Sequence, residues 1–457
     1  MSLKQESYQL HLGLQLLKIH LNPRHELVIL ADRIDWDTLE HKLKRFFQKR
    51  GRKAKRVRLM AGLLFLKHLH NLSDRQVVAM IHENIYYKYF CGLHWNLGEW
   101  DAAEIVNSST LTKFRRRLGK EGMRIIEDVI KAQLFAEKRI SKRTALVDTT
   151  AQEKHIVHPT NASLLARGIQ HLVKTINKLK ARGLNVNVRS HKFLVRKELL
   201  KINKLGRGRR DRVTQSLKNL TKYARSVRKS ASKADNASLE QASEIDLAAI
   251  NKLKEQLRYE AELFDKAIRQ AFAWLNNEKI PSKDKILSFH EPHTTVIAKG
   301  KRRSRYEFGI KASLTSDRNQ YIVGHQEYSY NIADVNSLDF ALEDWENTFG
   351  DLPDELGADR GYHTKNLPER ASKIKRLAIQ AKGKNPHPNH DKPFFKRLQR
   401  NRNLLEPIIG HLKTDHRMNR CRYKGEVGDT MNVGLAVTAW NLRKWAREVR
   451  QEMKIAA

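Results

Sequence analysis

The sequence predicts a mixed α/β fold in which a helical region precedes a sheet and a long helical insertion interrupts it. Apolar residues recur at helical spacing through residues 1–135. Short apolar runs bounded by turns occur just after residue 140 and resume near residue 285, as expected for strands. Between them, residues 161–285 return to apolar repeats three and four positions apart. This order of elements favours one sheet built from two separated segments.

The composition is strongly basic. The 457 residues include 88 Lys and Arg against 50 Asp and Glu, a formal net charge of +38. A field of this size attracts polyanions, of which nucleic acid is the commonest. An anionic membrane surface is the rival partner, but no apolar run approaches the roughly 18 residues that span a bilayer, and no signal-peptide pattern is seen. We therefore expect a cytoplasmic protein associated with DNA or RNA.

The cysteine content argues against two kinds of site. Cys91 and Cys421 are the only cysteines, and neither belongs to a CxxC or Cys/His cluster. A disulfide framework and a structural zinc site are therefore not expected.

The N-terminal helical domain is predicted over residues 1–138. Ser73 is expected to cap one helix, and Ser108 or Ser109 to cap another that opens with a basic turn. That turn carries Arg115, Arg116 and Arg117. We expect these arginines to contact DNA, because phosphate binding needs mainly charge density; the alternative is a solvated basic face.

The sheet is predicted over residues 139–160 and 286–420. "TALVDTT" is an apolar run that ends in Asp148, and "EKHIVHP" follows as a second strand candidate. Several strands are expected after residue 285, with turns at Gly300 and at 316–319. "VNSLDFALEDWENTF" predicts an amphipathic helix, and "DELGADRGYH" a short strand that runs into Asp359. A C-terminal helical segment, 421–457, completes the chain.

The insertion, residues 161–285, is predicted to be a basic helical arm resembling an antiparallel coiled coil. Its apolar stripes include Leu165, Leu172 and Leu257, which we expect to form a core rather than a partner site. Between the stripes lies a segment that is very rich in Lys and Arg. We expect this segment to contact nucleic acid, with an inert solvated face as the alternative. Its arginines include Arg207, Arg209, Arg210 and Arg212.

Three carboxylates stand out by position. Asp148 and Asp359 follow strand candidates, and Glu406 lies on a late helical stretch. Strand-end side chains converge at one edge of a sheet, where carboxylate oxygens suit hard cations such as Mg²⁺. Two such ions about 4 Å apart would activate a water or a 3′-hydroxyl for phosphodiester chemistry. The alternative for each aspartate is an ordinary turn cap.

Basic residues share a helix face with Glu406. At about 100° per residue, Arg402 lies about 40° and Lys413 about 20° from it. An ordinary helix salt bridge of roughly 0.2–0.5 kcal/mol is the simpler interpretation of the Arg402–Glu406 spacing. Pro407 either kinks the helix or begins one with Glu406 as its N-cap. The shared face requires a helix that is continuous through Pro407.

Several segments, in order, resemble bacterial insertion-sequence transposases of the DDE type, in the group that includes the insertion-sequence-four and insertion-sequence-five families. The matching segments are "STLTKFRRRLG", "ALVDTTAQEKHIVHPTNASLL", "AKGKRRSRYEFGIKASLTSD", "ADRGYHTKN" and "RNLLEPIIGHLKTDHRMNRCRYKGEVGDTMNVGLAVTAWNLRKW". They cover most of the chain outside residues 161–285. The family signature Tyr-x2-Arg-x3-Glu-x6-Lys maps onto Arg402, Glu406 and Lys413, and Gln399 stands at the tyrosine position.

The resemblance implies an RNase H-like catalytic core that uses two Mg²⁺ (or Mn²⁺) ions held by Asp148, Asp359 and Glu406. It implies binding to terminal inverted repeats, strand cleavage, and attack of the freed 3′-hydroxyl on target DNA. Arg402 and Lys413 would bind phosphates, and a homodimer would pair two DNA ends in the bacterial cytoplasm, at the nucleoid. Two alternatives remain, a non-catalytic DNA-binding protein and an RNase H-like nuclease without strand transfer.

Overall fold

The structure, a computed structural model, describes residues 14–47, 54–93, 106–204, 210–237, 244–298, 306–382 and 386–456. The chain divides into two compact units. The first contains Met1–Glu153 and Ile310–Ala457, and the second is Lys154–Gly309. The second unit encloses the predicted insertion, 161–285, and extends beyond it on both sides.

The first unit begins with short helices around an apolar core. They are α1 (Glu26–Arg33), α2 (Trp36–Leu43), α3 (Val57–Leu69), α4 (Asp74–Glu83), α5 (Ile85–Phe90) and the longer α6 (Ser108–Ala136). The predicted cap at Ser73 is confirmed, since Ser73 and Gln76 form a reciprocal capping box at α4. The predicted cap of α6 at Ser108 or Ser109 is wrong by one or two residues. Asn107 has extended backbone angles, and its side chain accepts from the Ser109 N–H at 3.0 Å.

The strands form the mixed sheet that the sequence predicts. They are β1 (Thr144–Lys154), β2 (Thr295–Ala298), β3 (Tyr306–Asp317), β4 (Ile322–Tyr328), β5 (Glu355–Ala358), β6 (Arg376–Ile379) and β7 (Arg420–Cys421). β3, β1, β5 and β6 lie side by side, with β4 paired to β3 and β7 to β1. β1–β5 and β5–β6 are parallel, whereas β3–β4 is antiparallel.

Two details of the strand prediction change. "EKHIVHP" forms no strand of its own, because β1 continues through Glu153 and Lys154 before the chain leaves the sheet. The far end of β1 is held by the backbone N–H of Glu153, which donates to the Asn419 carbonyl at 3.2 Å. Asp148 therefore lies within a strand and not at its end. The predicted turn at 316–319 is confirmed, since β3 ends at Asp317 and a turn follows at 318–319. Gly300 lies outside the described residues.

The second unit is a helical bundle. Its helices are α7 (Asn161–Lys180), α8 (Lys192–Lys204), α9 (Arg210–Asn236) and α10 (Glu244–Leu275), and β2 pairs antiparallel with the first residues of β3. α7, α9 and α10 pack against one another around a core that includes Leu165, Leu172, Leu257 and Phe264. The apolar stripes are thus core, as predicted. α8 adds Val195 to the same core. Four helices therefore share this core, so the insertion has the form of a bundle and not of a coiled-coil-like arm.

The remaining helices belong to the first unit. They are α11 (Asp334–Phe349), α12 (Glu369–Ser372), α13 (Pro393–Asn403), α14 (Leu405–Thr414) and α15 (Gly425–Ile455). α15 packs against α1, α3 and α6 and buries Leu435 and Trp445 completely. The predicted C-terminal helical segment therefore completes the core around the sheet. Over the described ranges, no helix is long and apolar enough to cross a bilayer.

Candidate active site

The sheet register brings the two predicted aspartates together. β1 and β5 are parallel neighbours, and Val147 is paired with Ala358. Asp148 directly follows Val147 and Asp359 directly follows Ala358, so the two aspartates occupy equivalent places in the chain along adjacent strands. Asp148 is buried, with 8% of its surface exposed. Asp359 lies just beyond the end of β5, where its side chain accepts from the Gly361 N–H.

Glu406 reaches the same place from the junction of two helices. α13 ends at Asn403 and α14 begins at Leu405, so the helix breaks at Leu404 and not at Pro407. Pro407 is the third residue of α14, where its missing N–H would have had no partner within the helix. The interpretation of Glu406 as N-cap is wrong, since Leu404 occupies that position. Leu404 keeps helical backbone angles, and this preserves the approach of Arg402 to Glu406 across the break.

A single guanidinium joins the three carboxylates. The Arg402 Nη2 donates to Asp148 Oδ2 at 2.9 Å and lies 3.5 Å from Asp359 Oδ2. Its Nη1 donates to Glu406 Oε1 at 3.2 Å. The Arg402 side chain is only 11% exposed, whereas that of Glu406 is 66% exposed. The structure thus places Arg402 among the carboxylates, a position that the phosphate-binding role implied by the resemblance did not anticipate.

The surroundings of Asp148 favour its neutral, protonated form over the ionised carboxylate. Burial raises the pKa of Asp148 to about 6, and the negative charges of Asp359 and Glu406 act in the same direction. Arg402 and the Thr149 N–H oppose the shift but do not cancel it. A concentrated negative potential of this kind is typical of sites that bind cations.

A fourth carboxylate, which the sequence analysis missed, lies beside the site. Asp334 begins α11, and its Oδ1 accepts from Thr149 Oγ1 at 2.7 Å and pairs with Lys311 Nζ at 2.6 Å. A Cβ added at Gly361 would lie 2.5 Å from Asp334 Oδ2 and 2.8 Å from Asp359 Oδ1, so a larger residue there would have to displace these two carboxylates. The available signal was weak, because an acidic residue in a first helical turn is ordinary.

Gln399, at the signature tyrosine position, has a structural role. Its Nε2 donates to the carbonyls of Ala358 and Ala378, at 3.2 and 2.5 Å. These carbonyls belong to the neighbouring strands β5 and β6. Gln399 therefore ties α13 to the sheet next to Asp359.

The predicted DNA-contact arginines of α6 separate into two groups. Arg116 and Arg117 are exposed. Arg115 is buried, donates to both carboxylate oxygens of Asp74 at 2.9 and 2.6 Å, and lies 4.2 Å from the Tyr423 ring centroid. The prediction of a DNA contact is therefore wrong for Arg115, because its guanidinium is consumed in a bidentate ion pair inside the first unit.

The other predicted contacts lie on α9 and α14. Arg210 and Arg212 are exposed in the first turn of α9, and Arg210 lies 5.5 Å from the Trp274 ring centroid. Lys413 is half-buried on α14. Arg207 and Arg209 lie outside the described residues.

The three carboxylates are of a type that suits a hard divalent cation, but they surround the Arg402 guanidinium. Asp148, Asp359 and Glu406 offer carboxylate oxygens, the ligands that Mg²⁺ and Mn²⁺ prefer. In the part of the chain that the structure describes, no three His, Cys, Asp or Glu side chains are grouped closely enough to hold one ion. The residues thus fit a metal chemically, and Arg402 occupies the space between them.

Fold and site together define an α/β protein with a three-carboxylate centre, a class in which the carboxylates come from adjacent parallel strands and a following helix. Family comparisons narrow this class. The family described as "Transposase domain (DUF772)" matches residues 15–117, and the family described as "Transposase DDE domain" matches residues 363–446. The chain belongs to the insertion-sequence DDE transposases. The resemblance seen in the sequence is confirmed at this level.

The chain is also similar to a protein from a bacterium. An uncharacterized protein, ORF8 in the nfe locus of Rhizobium meliloti, is 37% identical over 164 residues, which are 35% of this chain and 76% of that protein. No solved structure matches the chain significantly. The DDE match includes Glu406 but begins after Asp148 and Asp359. The assignment of the two aspartates consequently depends on their position in the sheet.

Proposed function

We propose that this transposase cleaves DNA at the ends of an insertion sequence and joins the freed 3′-ends to target DNA, using Asp148, Asp359 and Glu406. The observation that carries the proposal is the convergence of these carboxylates on one guanidinium, from two adjacent parallel strands and a helix junction. An RNase H-like core of the insertion-sequence-four/five group is part of the proposal.

Asp148, Asp359 and Glu406 would hold two Mg²⁺ or Mn²⁺ ions. Such ions, when bound, make a water or a 3′-hydroxyl nucleophilic and stabilise the leaving oxygen of a phosphodiester. The chain itself supplies a buried strand pair that fixes the two aspartates, and Gln399, which keeps α13 against that pair. Lys413, at a position of the family signature, would bind phosphate near the scissile bond.

DNA outside the catalytic centre would be held by exposed cations on α6 and α9. Arg116 and Arg117 lie within the N-terminal transposase match, and Arg210 and Arg212 begin the basic helix of the second unit. Exposed cations of this kind neutralise DNA phosphates without recognising the base sequence. The proposal also gives Arg207 and Arg209 a phosphate-binding role, and it includes a homodimer that pairs two inverted-repeat ends at the bacterial nucleoid in the cytoplasm.

The test incubates the protein with labelled element-end DNA, Mg²⁺ and a target plasmid. Joined product supports transposition, cleavage alone supports a nuclease, and binding without either supports a non-catalytic DNA-binding protein. Glu406→Gln should reduce both reactions by at least about a thousandfold while leaving end binding intact, since it removes a proposed metal ligand. Wild-type cleavage by this variant would refute the assignment.

Glu369→Gln is the matched control. Glu369 is also exposed in a first helical turn and pairs with a cation four residues away, Lys373, at 2.7 Å. It lies in α12, outside the carboxylate centre, so its loss should leave cleavage unchanged.

A further inference from the structure

We propose that Arg402 is the resident counter-cation of the carboxylate centre, and that divalent ions must displace it to bind. This inference rests on the proposed function, because it takes Asp148, Asp359 and Glu406 as the metal ligands. It assigns Arg402 a position in the protein without metal that differs from the phosphate contact implied by the family signature.

The geometry of the guanidinium carries the argument. Nη2 is shared by Asp148 and Asp359, and Nη1 is bonded to Glu406. The carboxylate oxygens that a cation would need are therefore already directed at these nitrogens. A pair limited to Arg402 and Glu406 would be an ordinary helix salt bridge, worth little. The bond from Arg402 to buried Asp148, which is 254 positions away in sequence, is what makes the guanidinium part of the centre.

The third donor of the guanidinium, Nε, indicates that Arg402 keeps this position only while the carboxylates are charged and uncompensated. Nε is buried and has no hydrogen-bond partner among the described residues. An unsatisfied buried donor is unfavourable, so the carboxylates are what hold the guanidinium in place. When their charge is compensated by another cation, the reason for its burial is lost.

Charge repulsion makes the two states exclusive. A divalent ion bound to the same oxygens would lie a few ångströms from the guanidinium, and like charges at that distance repel strongly in a partly buried site. A released guanidinium offers paired donors that match a phosphate. The contact with carboxylates and the contact with DNA would then be successive positions of one side chain, coupled by the metal.

Binding of Mn²⁺ alone, without DNA, tests the inference by isothermal titration calorimetry. Arg402→Gln should bind Mn²⁺ about tenfold or more tightly than the wild type, because a competing like charge is removed. Arg402→Lys keeps the charge but lacks the fork that reaches three carboxylates, so its affinity should lie between the two. Arg400→Gln, which removes an exposed arginine from the same helix, should match the wild type.

The outcomes separate this inference from the proposed function. Unchanged or weaker Mn²⁺ binding by Arg402→Gln would overturn the inference, because Arg402 would then support the metal or ignore it. If Asp148→Asn and Glu406→Gln bind Mn²⁺ as the wild type does, the proposed metal site itself fails. Circular dichroism of each variant checks folding, and Arg402→Lys keeps the inference testable where Arg402→Gln does not fold.

Discussion

Replacement of Asp148 by asparagine should stabilise the protein above pH 6. The pKa of Asp148 rises from 3.8 to about 6, mainly through burial. A shift of about two pKa units corresponds to roughly 3 kcal/mol between the protonation states. The folded state binds this proton more tightly than the unfolded state does, so the wild type loses stability as pH rises from about 4 to about 6. Asparagine resembles the neutral acid and avoids that loss.

The assay is urea unfolding followed by tryptophan fluorescence, in chelator, at pH 4, 5, 6, 7 and 8. The free energies of unfolding of wild type and Asp148→Asn should be close at pH 4, diverge up to about pH 6, and then differ by up to roughly 3 kcal/mol in favour of the variant. Asp354→Asn is the control of opposite sign, because a hydrogen bond from Lys375 lowers the pKa of Asp354. A variant less stable than the wild type at pH 7, or a difference independent of pH, would refute the reasoning.

Three further predictions concern packing and buried polar groups. Gly168→Ala would place a Cβ 2.1 Å from the Phe264 ring and should lower the free energy of unfolding of the second unit by about 1–3 kcal/mol. Gly410→Ala has open space around the added Cβ and should raise the free energy of unfolding by about 0.5–1 kcal/mol. Urea unfolding measures both changes. Burial opposes the charge on His325, but Glu127 and Glu327, each 2.6 Å from its ring, raise the pKa of His325 well above 6.5. The stability lost in His325→Gln should therefore be greatest between pH 4.5 and 6.5 and shrink as the medium becomes alkaline, which calorimetric scans across pH would detect. Gln399→Leu leaves two strand carbonyls without their donor and should lower the free energy of unfolding by about 1–3 kcal/mol, measured by thermal unfolding. A variant as stable as the wild type would show that Gln399 has no such structural role.

The sequence was informative where structure follows a local pattern. Asp359 after a short apolar run, the capping pattern at Ser73, and the apolar stripes of the insertion were all read from neighbouring residues. The N-terminal helical region, the mixed sheet and the C-terminal helical segment could be predicted for the same reason.

What the sequence could not provide depends on contacts between distant residues. Helix spacing relates Arg402 to Glu406 but contains no information about Asp148, which meets Arg402 only after β1 and α13 are assembled. Arg115 looks like a surface cation in its own segment, and only the placement of Asp74, 41 positions earlier, shows that it is buried. Asp334 likewise joins the site because α11 begins beside β1.

The connection between β1 and β3 has a consequence for how the chain folds. These strands are neighbours in the sheet, yet most of the second unit, residues 155–305, lies between them in sequence. Closing a flexible loop costs an entropy that grows by about 0.6 kcal/mol with each doubling of its length, so a disordered loop of this size penalises strand pairing substantially. A helical bundle is rich in local contacts and folds fast. Once folded, it holds its two ends at a fixed separation and shortens the effective loop. The basic bundle would then promote pairing of β1 with β3, and destabilising its core would slow the assembly of a sheet that contains none of its helices.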